Sequence, residues 1–322
     1  MRRIRAEFLR HREASVLVVA IGLGLYFVSA TDVFLSYDNL VNISQATAPA
    51  AIVACGTVLL LVSGEIDLSV GVVAALAPFM MHYAIDFWGV PAIPAILLAL
   101  ATGTAIGFGN GFITVVLRVP SFVTTLGTFY AVTGVVLTTS HAYPAEIPAS
   151  VDGTIGQWLG AANWAHLGWA LVIVAVLHIL LTRTRWGLHT IAVGGNPLGA
   201  SEAGVRTGRI KIGNFMIGGT LGAFAGLIEA FRIHTIDPNI GGGTGLMFTA
   251  VSAAVIGGTA LAGGSGTIIG CALGALVLAE LQNGMNLIGI SANPYFLILG
   301  AAILLSMIAN VSLTRLRRAG RT

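Results

Sequence analysis

Long apolar runs, separated by short polar stretches, repeat from one end of the chain to the other. A helix needs about 20 predominantly apolar residues to cross a bilayer. On that measure the pattern predicts ten spans, near 14–31, 43–64, 66–85, 91–117, 121–139, 164–182, 210–231, 244–262, 265–289 and 294–312. The chain therefore reads as an all-α polytopic membrane protein of about ten transmembrane helices. Two polar stretches interrupt the rhythm, 140–163 and 183–211.

Alternating the spans from a cytoplasmic N-terminus sorts the charges. Arg2, Arg3, Arg5, Arg10, Arg12 and Arg118 fall inside. So do Arg183, Arg185, Arg206, Arg209 and Lys211 of the 183–211 stretch, and Arg315, Arg317, Arg318 and Arg321 near the C-terminus. Of the 16 basic residues only Arg232 falls outside, which is the bias that orients membrane proteins. The outside stretches carry Asp32, Asp38, Asp86, Glu146, Asp152 and Asp237 instead. An even number of spans with both ends cytoplasmic preserves this sorting. The arginines ahead of an apolar run ending Val28-Ser29-Ala30 have the outline of a signal peptide. That run is longer than most signal cores and further spans follow at once, so an uncleaved first span is the better reading.

Composition agrees. Hydrophobic residues make up 56% and charged residues 9%, with mean hydropathy +0.90, whereas a soluble domain carries about 25% charged residues. Residues 1–322 read as one transmembrane domain. The isoelectric point near 9.1 does not point to nucleic acid, because the basic residues sit at span ends rather than on one soluble face. Cys55 and Cys271 lie in separate apolar spans and give neither a disulfide framework nor a metal spacing. The seven histidines include no i,i+4 ligand pair and read as structural or boundary residues.

The 183–211 stretch reads RTRWGLHTIAVGGNPLGASEAGVRTGRIK. Asn196 is placed to accept a first-turn N–H, Pro197 suits the first helical position, and Gly204 suits a left-handed helix end. A short, rigid, capped helix is predicted there, shaped to touch something else. On the opposite side, 140–163 holds Pro144, Pro148, Asp152 and, at its end or just past it, Trp158 and Trp164. Two readings stand for it: a loop with interfacial aromatics, or a docking surface for an extracytoplasmic partner.

A weak internal repeat links Asn110-Gly111, Pro120-Ser121-Phe122 and Leu126-Gly127 with Asn283-Gly284, Pro294-Tyr295-Phe296 and Leu299-Gly300. Spans two to five would then be an inverted copy of spans seven to ten, an arrangement that places a path between the halves. Asn110, Phe122, Asn283 and Phe296 become path candidates. Most of the 42 glycines read as close helix packing. The cluster from Gly241 to Gly270 reads as a broken helix or a tight turn, and irregular backbone at that depth is tolerated where it is buried or lines a cavity.

Five acidic positions bear on function. Glu65 and Asp67, in SGEIDLSVG, have no basic neighbour in sequence. The first reading is a polar turn in which Asp67 caps the next helix near Val70; the second is an element at an inner gate. Glu229 and Arg232 are three apart, the spacing of a helix-surface pair. Glu280 has no evident partner and is the best candidate for an interhelical or pathway role. Glu202 lies in the short capped helix.

Several activities are excluded by motif. Lys211, the sole lysine, follows isoleucine, so no phosphate loop exists. No nucleophile elbow, HExxH or paired-cysteine motif occurs, and the chain reads as no enzyme. Asn196-Pro197 and Asn293-Pro294 are not followed by alanine, so the motif of water channels is missing. No row of intramembrane arginines suggests a voltage sensor.

Four segments, in order, resemble the permease subunits of bacterial ABC importers for sugars of the ribose, xylose and galactose type. They are SGEIDLSVG (63–71), with Glu65 where glycine is usual, VPSFVTTLGT (119–128), AVGGNPLGASEAGV (192–205) and AVIGGTALAGGSGTIIG (254–270). The resemblance runs from about Asn39 to Ile308. It implies alternating access in the bacterial inner membrane, driven by two partner subunits that hydrolyse ATP with Mg. It also implies a second permease copy or paralogue, an extracytoplasmic substrate-binding protein and a monosaccharide substrate; no cofactor belongs to this chain. Residues 183–211 become the cytoplasmic coupling loop. Gly194, Gly195, Asn196, Pro197, Glu202 and Gly204 form the contact with the ATPase, flanked by Arg185 and Arg206. Within the same class the alternatives are a branched-chain amino acid or a nucleoside. From another class, an ion-coupled secondary transporter would rely on Glu280 and Glu229.

Overall fold

The computed structural model describes residues 12–239 and 245–290, together with 297, 298, 300, 301, 303–305 and 308. The spans come first as α1 (Arg12–Ala30), α2 (Tyr37–Val62), α3 (Val70–Asp86), α4 (Ala92–Val115) and α5 (Ser121–Thr139). A small cap follows, made of β1 (Ala145–Glu146), α6 (Ala149–Asp152), α7 (Thr154–Gly156) and a π-helical turn, Gln157–Ala161. Then come α8 (Ala165–Arg183), α9 (Arg185–Gly195), α10 (Pro197–Glu202), α11 (Thr207–Ile233), β2 (Thr235–Ile236), α12 (Gly245–Ile256) and α13 (Ile268–Leu287). Among the described residues seven helices are long and apolar enough to cross a membrane, and α3 and α12 are shorter apolar helices. The predicted tenth span lies mostly outside the described residues.

Local chemistry sets the helix ends. The Ser36 hydroxyl accepts the Asn39 N–H and starts α2 six residues ahead of its apolar run. Gly64, at φ +82°, ends it. The Gly64 and Glu65 N–H groups turn back to the Leu61 and Leu60 carbonyls, at 3.0 and 2.9 Å, the Schellman closure that satisfies a helix C-terminus. α12 stops at Ile256 because Gly257 and Gly258 open a turn that runs to Thr267, the predicted break in the glycine cluster.

Among the seven long spans α2 and α11 are the most buried and form the centre. Small residues bring the neighbours close, as expected where lipid leaves association to van der Waals packing. Gly103, Gly107 and Gly111 form a stripe on α4 that lies against Gly219, Phe215 and Ile212 of α11. Gly226 of α11 abuts the Ala74 backbone of α3. Where α2 and α11 cross, Gly56 meets Gly218.

The order of neighbours is unchanged when the two predicted repeats are exchanged. α4 packs on α11 as α13 packs on α2, α3 packs on α11 as α12 packs on α2, and α3 meets α4 as α12 meets α13. The counterpart of α5 lies mostly outside the described residues. α1 packs along α13, and α8 packs on α2 and α13.

The bundle has two polar ends. One gathers residues 63–69, 116–120, 184–206 and 257–267. The other gathers the cap and residues 31–36 and 234–239. Arg118, Arg183, Arg185, Arg206, Arg209 and Lys211 belong to the first end, and Arg232 to the second.

Candidate functional site

The basic end is built around the turn 63–69. Schellman closure of α2 fixes the Glu65 backbone, and its carboxylate reaches Lys211 at the start of the second turn of α11, with Oε1 2.5 Å from Nζ. The side chains are 10% and 23% exposed, so the pair is largely withdrawn from water. Sequence analysis found no basic neighbour for Glu65; the structure supplies one from 146 residues away.

Asp67 does not cap α3 at Val70 as predicted. Its Oδ1 accepts the Ser69 N–H at 2.7 Å and the Ser69 hydroxyl at 2.6 Å, closing a turn two residues on. The Ser69 hydroxyl in turn accepts Asn110 Nδ2 at 2.9 Å, and Asn110 Oδ1 accepts the Thr128 hydroxyl at 2.6 Å. A polar chain thus joins the turn to α4 and α5, buried at Asp67, Ser69 and Asn110 and half-buried at Thr128. Asp67 Oδ2 has no hydrogen-bond partner among the described residues, and burial pushes its carboxyl up from the ordinary range. The Ile66 N–H donates to the Ser121 hydroxyl at 3.3 Å, which seats the turn on the start of α5.

The predicted short helix is present. Asn196 Oδ1 accepts the Gly199 N–H at 2.9 Å, Pro197 occupies the first turn, and Gly204 adopts φ +83°. The Gly204 and Val205 N–H groups return to the Ser201 and Ala200 carbonyls. Ala200 and Val205 pack with Val193 and Ile210 beneath the helix, while Leu198 is 71% exposed on top. Arg185, Asn196, Pro197, Glu202, Gly204 and Arg206 are all exposed. A further helix, α9, precedes this one and was not predicted. Its signals are the Thr184 hydroxyl accepting the Gly187 N–H, and the buried row Gly187, Thr190 and Val193 at helical spacing.

Gly194 and Gly195 close α9, and Gly194 faces inward. It abuts the Val62 carbonyl at the end of α2 and the Gly263-Gly264 turn. The Gly264 N–H donates to the same carbonyl at 2.8 Å. Gly195 meets only Gly264, at ordinary contact distance.

The path candidates separate into two groups. Glu65, Asp67 and Asn110 come together at the basic end. Asn283 lies near the other end, where its Nδ2 donates to Asn39 Oδ1 at 2.8 Å. Glu280 sits in the seam between α13 and α1 with its carboxylate beside Gly24, and its Oε2 has no hydrogen-bond partner among the described residues. Phe122 is 54% exposed on the first turn of α5. Phe296 lies outside the described residues. Glu229 and Arg232 form the predicted pair, with Arg232 Nε 2.8 Å from Glu229 Oε2.

The cysteines are not apart. Cys55 and Cys271 bring their sulfurs to 3.9 Å across α2 and α13. The 140–163 stretch is folded rather than a plain loop. β1 pairs with β2, the His234 Nδ1 lies 3.0 Å from Asp152 Oδ1, and the Trp164 indole donates to the Tyr37 hydroxyl at 3.2 Å. Trp158, Trp164 and Trp169 line an apolar groove of about 640 Å³ at its edge.

Residues 39–308 match the family described as branched-chain amino acid transport system/permease component. The chain belongs to this family of ABC importer permeases. The permease is 36% identical over 312 residues to the xylose/arabinose import permease protein XylH of Sulfolobus acidocaldarius, covering 93% of this chain and 85% of that one. To the ribose import permease protein RbsC of Escherichia coli K12 it is 33% identical over 281 residues, covering 86% and 87%. To the xylose transport system permease protein XylH of the same strain it is 31% identical over 355 residues, covering 91% and 90%. No solved structure matches the permease.

Proposed function

We propose that the permease carries a monosaccharide across the bacterial inner membrane by alternating access, as the transmembrane subunit of an importer driven by separate ATP-hydrolysing subunits. Its basic end, with both termini, faces the cytoplasm. A second copy or a paralogue completes the path, and an extracytoplasmic binding protein delivers the sugar to the end that carries the folded cap. Three sugar permeases, each similar over most of the chain, support the sugar class.

The observation that carries the coupling role is α10. It is capped at both ends, exposed along its top and seated by α9 on the end of α2. A rigid part that touches both solvent and the central helix is suited to transmit force. ATP and Mg bind the partner, and the energy enters this chain only as a preference for one of its two states.

The competing ion-coupled reading relied on Glu229 with Glu280. Glu229 is engaged by Arg232, and no hydrogen bond or ion pair among the described residues joins it to Glu280.

The test is to purify the permease from its native membrane with whatever accompanies it. The reading expects an ATP-binding subunit whose hydrolysis accelerates when sugar-loaded binding protein is added. Uptake that survives ATP depletion and collapses with the ion gradient would overturn it.

A further inference from the structure

The turn 63–69 is held from four sides. Val62 at its root accepts the Gly264 N–H, Ile66 is bonded to Ser121 on α5, and Asp67 reaches α4 and α5 through Ser69, Asn110 and Thr128. The fourth attachment is Glu65 to Lys211. Lys211 is the fifth residue of α11, which residues 203–206 join to α10. It is therefore the attachment that ties the turn to the segment emerging from the exposed helix.

A second contact between the coupling stretch and this region is Gly194 against the Val62 carbonyl. The two contacts differ mechanically. Packed atoms resist compression steeply and separation only weakly, so Gly194 pushes α2 better than it pulls it. An ion pair withdrawn from water resists separation as well, because parting the charges leaves each one buried without its partner. Such a pair adds little stability over an apolar pair of the same volume, so its value here lies in holding two elements in register. Lys211 is also the chain's sole lysine, and no other positive charge bonds to the turn among the described residues.

We propose that Lys211–Glu65 is a tensile link, through which withdrawal of α10 draws the turn 63–69 after it, while Gly194 transmits the opposite stroke. Both residues are positioning residues for transport. This rests on the importer reading above.

The test uses the complete importer, with its ATP-binding subunits and binding protein, in sealed vesicles, and measures sugar moved per ATP hydrolysed. Glu65→Gln and Lys211→Met are each expected to keep ATP hydrolysis and to lower that ratio roughly tenfold, within the range of measured couplings between sites. The charge swap Glu65→Lys with Lys211→Glu is expected to recover the ratio to within about threefold of wild type, on the same scale. Lys211→Arg, which keeps the charge, is expected to stay close to wild type, and it serves where a single variant fails to fold. An unchanged ratio in both single variants would overturn the link, as would loss in Lys211→Arg equal to that in Lys211→Met. Wild-type uptake that needs no ATP would instead overturn the importer reading beneath it.

Discussion

Gly194 and Gly195 are adjacent, share one helix end and differ in what they touch, which makes them a matched pair. Replacing glycine by alanine inside a helix gains up to about 1 kcal/mol from propensity. At Gly195 that gain stands nearly alone, because an added methyl group would lie 3.7 Å from the Gly264 Cα, an ordinary contact. At Gly194 the methyl group would overlap the Val62 carbonyl oxygen and sit 2.8 Å from the Gly264 nitrogen. Both are backbone atoms, and they are already bonded to each other, so neither can turn aside as a side chain would. Forced overpacking costs about 1–3 kcal/mol, while the propensity gain is common to both variants. Gly194→Ala is therefore expected to melt roughly 2–6 °C below Gly195→Ala, taking about 2 °C per kcal/mol for a chain of this size, while Gly195→Ala stays level with the wild type or rises slightly. The measurement is thermal unfolding of the purified permease in detergent, followed by tryptophan emission. Trp186 lies in the same segment, with its indole bonded to Asn214, and reports on it directly. A Tm for Gly194→Ala equal to or above that of Gly195→Ala would refute the argument that α9 is clamped on α2.

Three further outcomes are expected. Asn196→Asp keeps the cap, since aspartate caps helices as well as asparagine does. It should leave expression and Tm unchanged while lowering sugar moved per ATP, and normal coupling would remove α10 from the motor contact. Asn110→Ala strips the buried link between Ser69 and Thr128 and should cost about 1–3 kcal/mol, read as a lower midpoint in a detergent unfolding series; an unaltered midpoint would show that the chain of hydroxyls closes without it. Burial raises the Asp67 carboxyl above its ordinary value, so folding favours the protonated form. Its stabilising contribution is complete below the unfolded pKa and is lost as pH rises through the folded one. Asp67→Asn keeps the acceptor for Ser69 and should flatten the fall in Tm as pH rises above the ordinary carboxylate range; an unchanged pH slope would contradict this.

The seven long spans among the described residues were legible in sequence because each is written in one continuous apolar run. The start of α2 was misplaced because its first turn, Tyr37 to Asn42, is polar, and only the Ser36 cap marks it. The caps of α10 were legible for the same local reason: Asn196, Pro197 and Gly204 act within a few residues of themselves. What sequence concealed was distant. Glu65 finds its partner 146 residues on, and Cys55 meets Cys271 at a separation of 216. Neither pairing leaves a mark in spacing. The cap over 140–163 was hidden differently, since its elements are only a few residues long and are held by β2 and Tyr37, which lie far along the chain.

The two thiols have a practical meaning. Cys55 belongs to the first of the two interchangeable groups of helices and Cys271 to the second, and their sulfurs stand 3.9 Å apart in the buried interior. If one half rocks against the other during the cycle, the motion must open or shear this contact. A mercuric ion, which binds two thiolates at once, would staple the halves in whichever state holds the sulfurs together and would pass over the state that parts them. Under such a motion the wild-type permease would carry its own strain gauge, with one terminal on each half and no engineered residue required to read it.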